Sequence, residues 1–297
     1  MKNIFIIVLL IITNSLFAQR EYYITSSDST KLFVREFGTG EPIILLAGGP
    51  GLNAVYMKPV WENLASKYRC IVLDQRGTGK SKIAKADSII LSLNNYVADI
   101  ETLRKTLNID RIILIGHSWG GKLSMEYAGL YPQHVQKLIL LDPGGLKEEF
   151  FIRFRDNLMM RLRDEDFKEI AQLDSLKKSR LKGLWPGYFY DRKRAMATKN
   201  TTDFEELIGD YPAIPYYLHP SVVASENGRI ERLKNFKNTV YIIQGRQDPT
   251  GESTAFEIKE VLPQAKIYFI EKCGHMPWLE NSEQVQYFFS MLNESLK

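Results

Sequence analysis

Residues 111–121 read RIILIGHSWGG: an apolar run, Ile112 to Ile115, followed by Gly116, His117, Ser118, Trp119 and Gly120. Four apolar side chains in a row, without polar alternation, suit a strand buried on both faces of a parallel sheet. Lys122 to Tyr131 then reads as a helix. A serine between two glycines at such a junction sits on a sharp strand-to-helix turn, where a flanking side chain would clash. Its hydroxyl stands clear of the sheet and can attack a carbonyl. The stretch predicts an α/β fold with Ser118 as nucleophile; an ordinary βα turn is the plainer alternative.

A serine hydroxyl is a weak nucleophile at neutral pH, so it needs a base, and the base needs an acid to orient it. The chain has four histidines. His117 lies inside the turn and is expected to point away from the pocket, His134 reads as a helix-end residue, and His219 follows a tyrosine-rich stretch. His275 stands in the loop Glu271 to Pro277, just after the strand-like Lys266 to Ile270, where a chain leaving a last strand delivers a base. Two acids follow apolar runs, Asp142 and Asp248. The chain order Ser118, Asp248, His275 favours Asp248; Asp142 reads more simply as a turn cap with Pro143. Donors for the developing oxyanion are expected from the backbone N–H of Trp119 and from the glycine loop after Ile43 to Leu46, where Gly49 is the choice and Gly48 its rival.

Working outward, strand-like segments at Leu32 to Phe37, Ile43 to Leu46, Cys70 to Leu73, Ile112 to Ile115, Leu138 to Leu141, Val240 to Ile243 and Ile267 to Ile270 alternate with helical stretches. Those include Tyr96 to Leu107, Ser253 to Val261 and Glu283 to Leu292. The pattern predicts a mostly parallel sheet. With 297 residues, 44% of them hydrophobic, the chain can bury a sizeable core. From Gly144 to Lys237 the strand rhythm stops and aromatics and charge rise, which reads as a helical cap (144–237) inserted into a core formed by 19–143 and 238–297. Lys177, Lys178, Arg180 and Lys182 read as a solvated helix face. A dispersed net charge of +4 gives no argument for nucleic acid. No metal-ligand spacing is present, so no metal or organic cofactor is implied.

Lys2 precedes the apolar run Ile4 to Ile12, with Ala18 as a small residue for cleavage, so residues 1–18 read as an export signal. The run is short for a bilayer span of ~20 residues. The expected location is the periplasm or the exterior, with no lasting membrane span after cleavage.

The glycine loop Gly48 to Gly51, the stretch Asp74 to Ser81, the turn at Ser118 with Trp119, the turn Gly245 to Asp248 and the pair Gly274, His275 together resemble the proline iminopeptidases and related tricorn-type aminopeptidases of the α/β-hydrolase superfamily. The resemblance spans about residues 32 to 290. It implies an α/β-hydrolase fold, a mostly parallel central sheet flanked by helices with an inserted helical cap, and a serine peptidase acting through an acyl-enzyme on small peptides. Ala47 departs from the family, which usually carries histidine there to help fix the oxyanion loop. The family topology also places Cys70 and Cys273 too far apart to pair, so two buried free thiols are expected. The resemblance also implies removal of one N-terminal residue, with a carboxylate pair in the cap holding the free α-ammonium by charge-assisted hydrogen bonds. Glu205 and Glu226 are the candidates, with Trp185, Phe189, Tyr216 and Tyr217 as an apolar wall for a proline-like ring. An esterase or lactonase using the same triad is the enzymatic alternative, and a ligand-binding or sensor protein without turnover is the alternative of another class.

Overall fold

The computed structural model describes residues 19–209 and 212–297; the segment 1–18, read as an export signal, lies outside them. One eight-stranded sheet organises the chain. Its strands are β1 (Gln19–Thr25), β2 (Lys31–Phe37), β3 (Glu41–Leu46), β4 (Tyr68–Leu73), β5 (Ile112–His117), β6 (Val135–Leu141), β7 (Thr239–Gly245) and β8 (Lys266–Ile270), in the spatial order β1-β2-β4-β3-β5-β6-β7-β8. β2 runs antiparallel to both its neighbours, and every pairing from β4 through β8 is parallel. β1 was not anticipated from the sequence. Its only fully buried residue is Ile24, so an edge strand carries no apolar run to announce it.

The period-two geometry of a strand sends neighbouring side chains to opposite faces, and the apolar runs supply both. Ile44, Leu46, Ile71, Leu73, Ile112 and Leu114 enter one core cluster; Ile43, Leu45, Cys70, Val72, Ile113 and Ile115 enter the other. Helix α1 (Lys58–Leu64) covers the second face. α2 (Leu93–Thr106) and α3 (Trp119–Leu130) cover the first. Each fully buried leucine or isoleucine contributes about 1.5–3 kcal/mol, which is why the sheet's centre tolerates no polar alternation.

Between β6 and β7 the chain runs through α4 (Glu149–Met159), α5 (Asp164–Ser175), α6 (Leu181–Leu184), α7 (Arg192–Lys199), α8 (Phe204–Leu207), α9 (Ile214–Ala224) and α10 (Glu226–Lys234). This insertion is not uniform. Ile214, Leu218 and Val222 of α9 and Leu233 of α10 pack into the same cluster as α2 and α3, so the last part of the stretch is built into the core layer. α11 (Glu252–Val261) and α12 (Ser282–Leu296) complete the two layers. Cys70 and Cys273 are both free and buried. Among the described residues no helix is long and apolar enough to cross a membrane.

Candidate active site

Ser118 sits between β5 and α3 with φ 53° and ψ −117°, a conformation an L-residue holds only where its surroundings enforce it. They do so through the backbone. The Ser118 N–H donates to Leu141 O at 3.0 Å, and its carbonyl accepts from the amides of Gly121, Lys122 and Gly144 at 3.0, 3.2 and 2.9 Å. The flanking glycines are steric necessities. A Cβ at Gly120 would lie 2.1 Å from Leu46 O, and one at Gly116 would lie 2.3 Å from Gly120 O.

The turn after β7 and the loop after β8 bring Asp248 and His275 together. His275 Nδ1 donates to Asp248 Oδ1 at 2.9 Å, which leaves Nε2 as the basic nitrogen. Asp248 also accepts from Thr250 N–H at 2.9 Å and from Thr250 Oγ1 at 2.5 Å. Burial works to raise the Asp248 carboxyl, yet the His275 imidazole and the hydrogen bonds from His275, Asp142 and Thr250 hold it below its ordinary value. The His275 N–H donates to Tyr188 O at 2.7 Å, so a backbone carbonyl of the insertion secures the base loop. Ser118 and His275 line one cavity. No hydrogen bond joins Ser118 Oγ to the imidazole among the described residues, and such contacts tighten when substrate binds.

Asp142 is not the turn cap expected beside Pro143. Its φ is 43°, it is fully buried, and its Oδ1 accepts the Gly245 N–H at 2.8 Å, while Oδ2 has no partner outside the aspartate pair. Burial and the adjacent Asp248 carboxylate push its carboxyl well above the usual range, so Asp142 holds a proton more tightly than Asp248 does. Asp142, Asp248 and His275 place one ligand-type atom each within 4.8 Å of one another. The Asp248 oxygens are already taken up by His275 and Thr250, which makes this a proton-sharing cluster rather than a cation cage.

The glycine loop Gly48 to Gly51 is held by Tyr56, which the sequence did not single out, and by Gln75 of the stretch Asp74 to Ser81. Tyr56 Oη accepts the Gly48 N–H at 2.6 Å, which removes Gly48 as a donor; Gly49 lines the cavity with its N–H unengaged among the described residues. The Trp119 N–H opens α3 and has no intrahelical acceptor. Gln75 bonds Ala47 O at 2.8 Å and accepts from the Trp119 ring at 2.9 Å, tying the loop to the nucleophile turn where the family's histidine is missing. His117 does not point away from the pocket: it lines it. Its Nε2 meets His275 O at 2.8 Å and its Nδ1 meets Tyr56 Oη at 2.6 Å. Burial and the nearby His275 depress its protonation. A neutral ring must then carry its proton on Nε2, and the directed chain Gly48 N–H to Tyr56, Tyr56 O–H to His117, His117 N–H to His275 O follows.

The cavity spans about 700 Å³ including its mouth. Its wall from the insertion is Gly144, Phe150, Phe151, Phe154, Leu181, Trp185, Tyr188 and Leu207, and Tyr188 stacks on the His275 ring at 5.4 Å between centroids. Four expected substrate-binding residues lie elsewhere. Glu205 is exposed and pairs with Lys178 at 3.0 Å; Glu226 Oε2 accepts the Glu148 N–H at 2.9 Å in a separate surface hollow. Tyr216 is 76% exposed, and Tyr217 packs against the core cluster. Phe189 is buried behind the wall, and His219 is exposed, bonded to Glu148 at 3.0 Å. Helical spacing cannot tell which face of a short helix meets the cavity when the neighbouring helices are unknown. Lys122 was the legible omission: a cation one turn after Ser118, in a helix otherwise rich in small and apolar residues.

A sequence profile described as alpha/beta hydrolase fold matches residues 41–282. Proline iminopeptidase of Heyndrickxia coagulans is 27% identical over 263 residues, covering 84% of this chain and 89% of that protein. A cis-3-alkyl-4-alkyloxetan-2-one decarboxylase of Shewanella oneidensis and an uncharacterized protein of Mycobacterium bovis align over 121 and 118 residues only, and the chain spans 38% and 33% of their lengths. A proline iminopeptidase-related protein of Thermus thermophilus superposes with a TM-score of 0.74 at 22% identity, covering 94% of this chain and 98% of that one. An esterase of Exiguobacterium antarcticum superposes with a TM-score of 0.69 at 20% identity, covering 93% and 99%. At these identities the structural likeness bears on the fold.

Proposed function

The chain belongs to the α/β-hydrolase fold family, and we propose that within it the protein is a serine hydrolase of small esters with largely apolar acyl groups. One observation carries this reading: among the described residues, the cavity beside Ser118 is walled by aromatic and aliphatic side chains and includes no carboxylate to hold a free ammonium. In the proposed reaction His275 Nε2 takes the Ser118 proton as Oγ bonds to the carbonyl carbon. The carbonyl electrons move onto oxygen, which the Gly49 and Trp119 amides receive. Collapse breaks the bond to the leaving oxygen, which takes the proton back from His275. Water then repeats the sequence on the acyl-enzyme and frees the acid.

The second reading is an aminopeptidase releasing a proline-like N-terminal residue, favoured by the similarity to proline iminopeptidase along most of the chain. The pattern at Lys2, Ile4 to Ile12 and Ala18 supports an exported enzyme on either reading, to be tested by N-terminal sequencing of protein recovered from outside the cytoplasm. For the chemistry, purified protein is offered a short p-nitrophenyl ester, a proline arylamide with a free amine and its N-acetylated twin, with Ser118→Ala as control. Ester cleavage that disappears in the variant supports the proposal. Cleavage of the free-amine amide alone establishes the aminopeptidase instead, and binding without turnover, unchanged in Ser118→Ala, points to a sensor.

A further inference from the structure

Lys122 is buried at the edge of the cavity, 2% exposed, and the reaction above makes no use of it. From the first turn of α3 it lines the same cavity as Ser118. Its Nζ lies 5.2 Å from the ring centre of Phe151 and 5.9 Å from that of Phe150, both part of the cavity wall. An ammonium has three donors. Among the described residues this one finds a single acceptor, Glu148 Oε1, at a long 3.5 Å. Glu148 is in turn shared with His219 at 3.0 Å and partly open to solvent. A desolvated cation with incomplete hydrogen bonding costs stability wherever it occurs, and its place beside the nucleophile gives the arrangement a use.

We infer that Lys122 is a recognition site for an anionic group, and that the preferred substrates carry a carboxylate a few bonds from the scissile carbonyl. The inference rests on the ester-hydrolase reading and narrows its substrate class. A carboxylate entering the apolar cavity would complete the donor set of Lys122 and form a charge-assisted bond screened from water. The same site disfavours a substrate ammonium, which would meet a like charge. Arg229 and Glu226 of α10, and Glu148 before α4, are the other charged groups acting on Lys122. Burial and Arg229 push the ammonium down to about 8 against the pull of Glu148 and Glu226. The preference should therefore weaken as pH rises through that value and the cation is lost.

The test compares kcat/KM for three p-nitrophenyl or aryl esters of similar length: a glutaric acid monoester, a butyrate ester of 4-hydroxybenzoate, and neutral p-nitrophenyl butyrate. At pH 7 one of the two anionic esters is expected to exceed the neutral one by at least tenfold, with the ratio falling towards one in Lys122→Met and growing in Glu148→Gln. Binding of glutarate monoanilide to Ser118→Ala, followed by calorimetry, reads the same contact without turnover; adding Lys122→Met should weaken it at least tenfold. Ser118-dependent turnover of the neutral ester with no preference for either anionic one overturns this inference and leaves the hydrolase intact. Absence of all ester turnover overturns the hydrolase reading, and the calorimetry then decides the Lys122 site alone, which falls if the two variants bind equally.

Discussion

The strand-end loops and the helical insertion meet across one cavity, but they are built by different rules. Ser118, Asp248, His275 and Gly49 hang from strand ends by backbone bonds and close steric fits: Gly120 against Leu46, Gly48 on Tyr56, Ser118 N–H on Leu141 O. The insertion offers Phe150 and Phe154 by ring packing, and Trp185 by packing and a ring N–H bond to Thr198 Oγ1 at 3.0 Å. Chemistry demands particular atoms at particular junctions, whereas shape can be supplied by any apolar side chain that fills the space. Substitutions on the first side should therefore remove turnover, and substitutions on the second should redirect it.

The largest effect is expected from Asp248→Asn, a loss in kcat of about 10³- to 10⁴-fold, because the amide cannot steady the imidazolium. A loss below tenfold would mean that Asp142 takes over as the orienting acid. Tyr56→Phe cuts the chain from Gly48 to His275 without touching the reacting atoms, and kcat should fall about tenfold with KM nearly unchanged, less than the ~10²–10³ of a lost oxyanion donor. An unchanged kcat would show that Gln75 alone holds the loop.

Asp142→Asn should leave kcat within about threefold but alter the pH dependence of stability. The folded carboxyl of Asp142 binds its proton more tightly than the unfolded one. Its contribution is thus full below the unfolded value of about 4 and is lost as pH rises towards the folded value. Asparagine mimics the protonated acid at every pH, so the variant's Tm should exceed that of the parent by about 2–4 °C at pH 8 and match it near pH 4. Equal Tm differences at both pH values would remove the proton from the aspartate pair. The smallest effect belongs to Glu205→Gln and Tyr216→Ala, which should leave kcat/KM for every ester within about twofold. A larger change would bring the outer face of the insertion into the site.

The same contrast explains what could be read from the sequence. Unbroken apolar runs identify β3 to β7, and the glycines around Ser118 mark a turn that few other structures require. β1 escaped because a single buried residue, Ile24, leaves no pattern, and α1 because it is only seven residues long. In the site, Asp248 and His275 follow from their positions after strands. Asp142 follows by the same rule but reads as a turn cap, and Gln75 only as part of the stretch Asp74 to Ser81; their bonds to Gly245 and Ala47, 103 and 28 residues away, and that of Tyr56 to Gly48, leave no local pattern. Glu205 and Glu226 failed for the opposite reason: exposed helix acids are common, and nothing local distinguishes a pocket-facing one.

Seven of the eighteen residues that line the cavity come from one uninterrupted stretch, Phe150 to Leu207, while the groups proposed to react are scattered over four separate loops. Heritable change acts on segments, and here one segment holds most of the wall's Phe, Trp and Tyr rings. A single pair of crossovers, one after β6 and one before α9, would exchange that wall and keep every reacting residue, provided the incoming segment restores the carbonyl that Tyr188 offers to the His275 N–H. A lineage carrying this arrangement can shift its diet in one recombination step, without passing through an ancestor that had lost its chemistry.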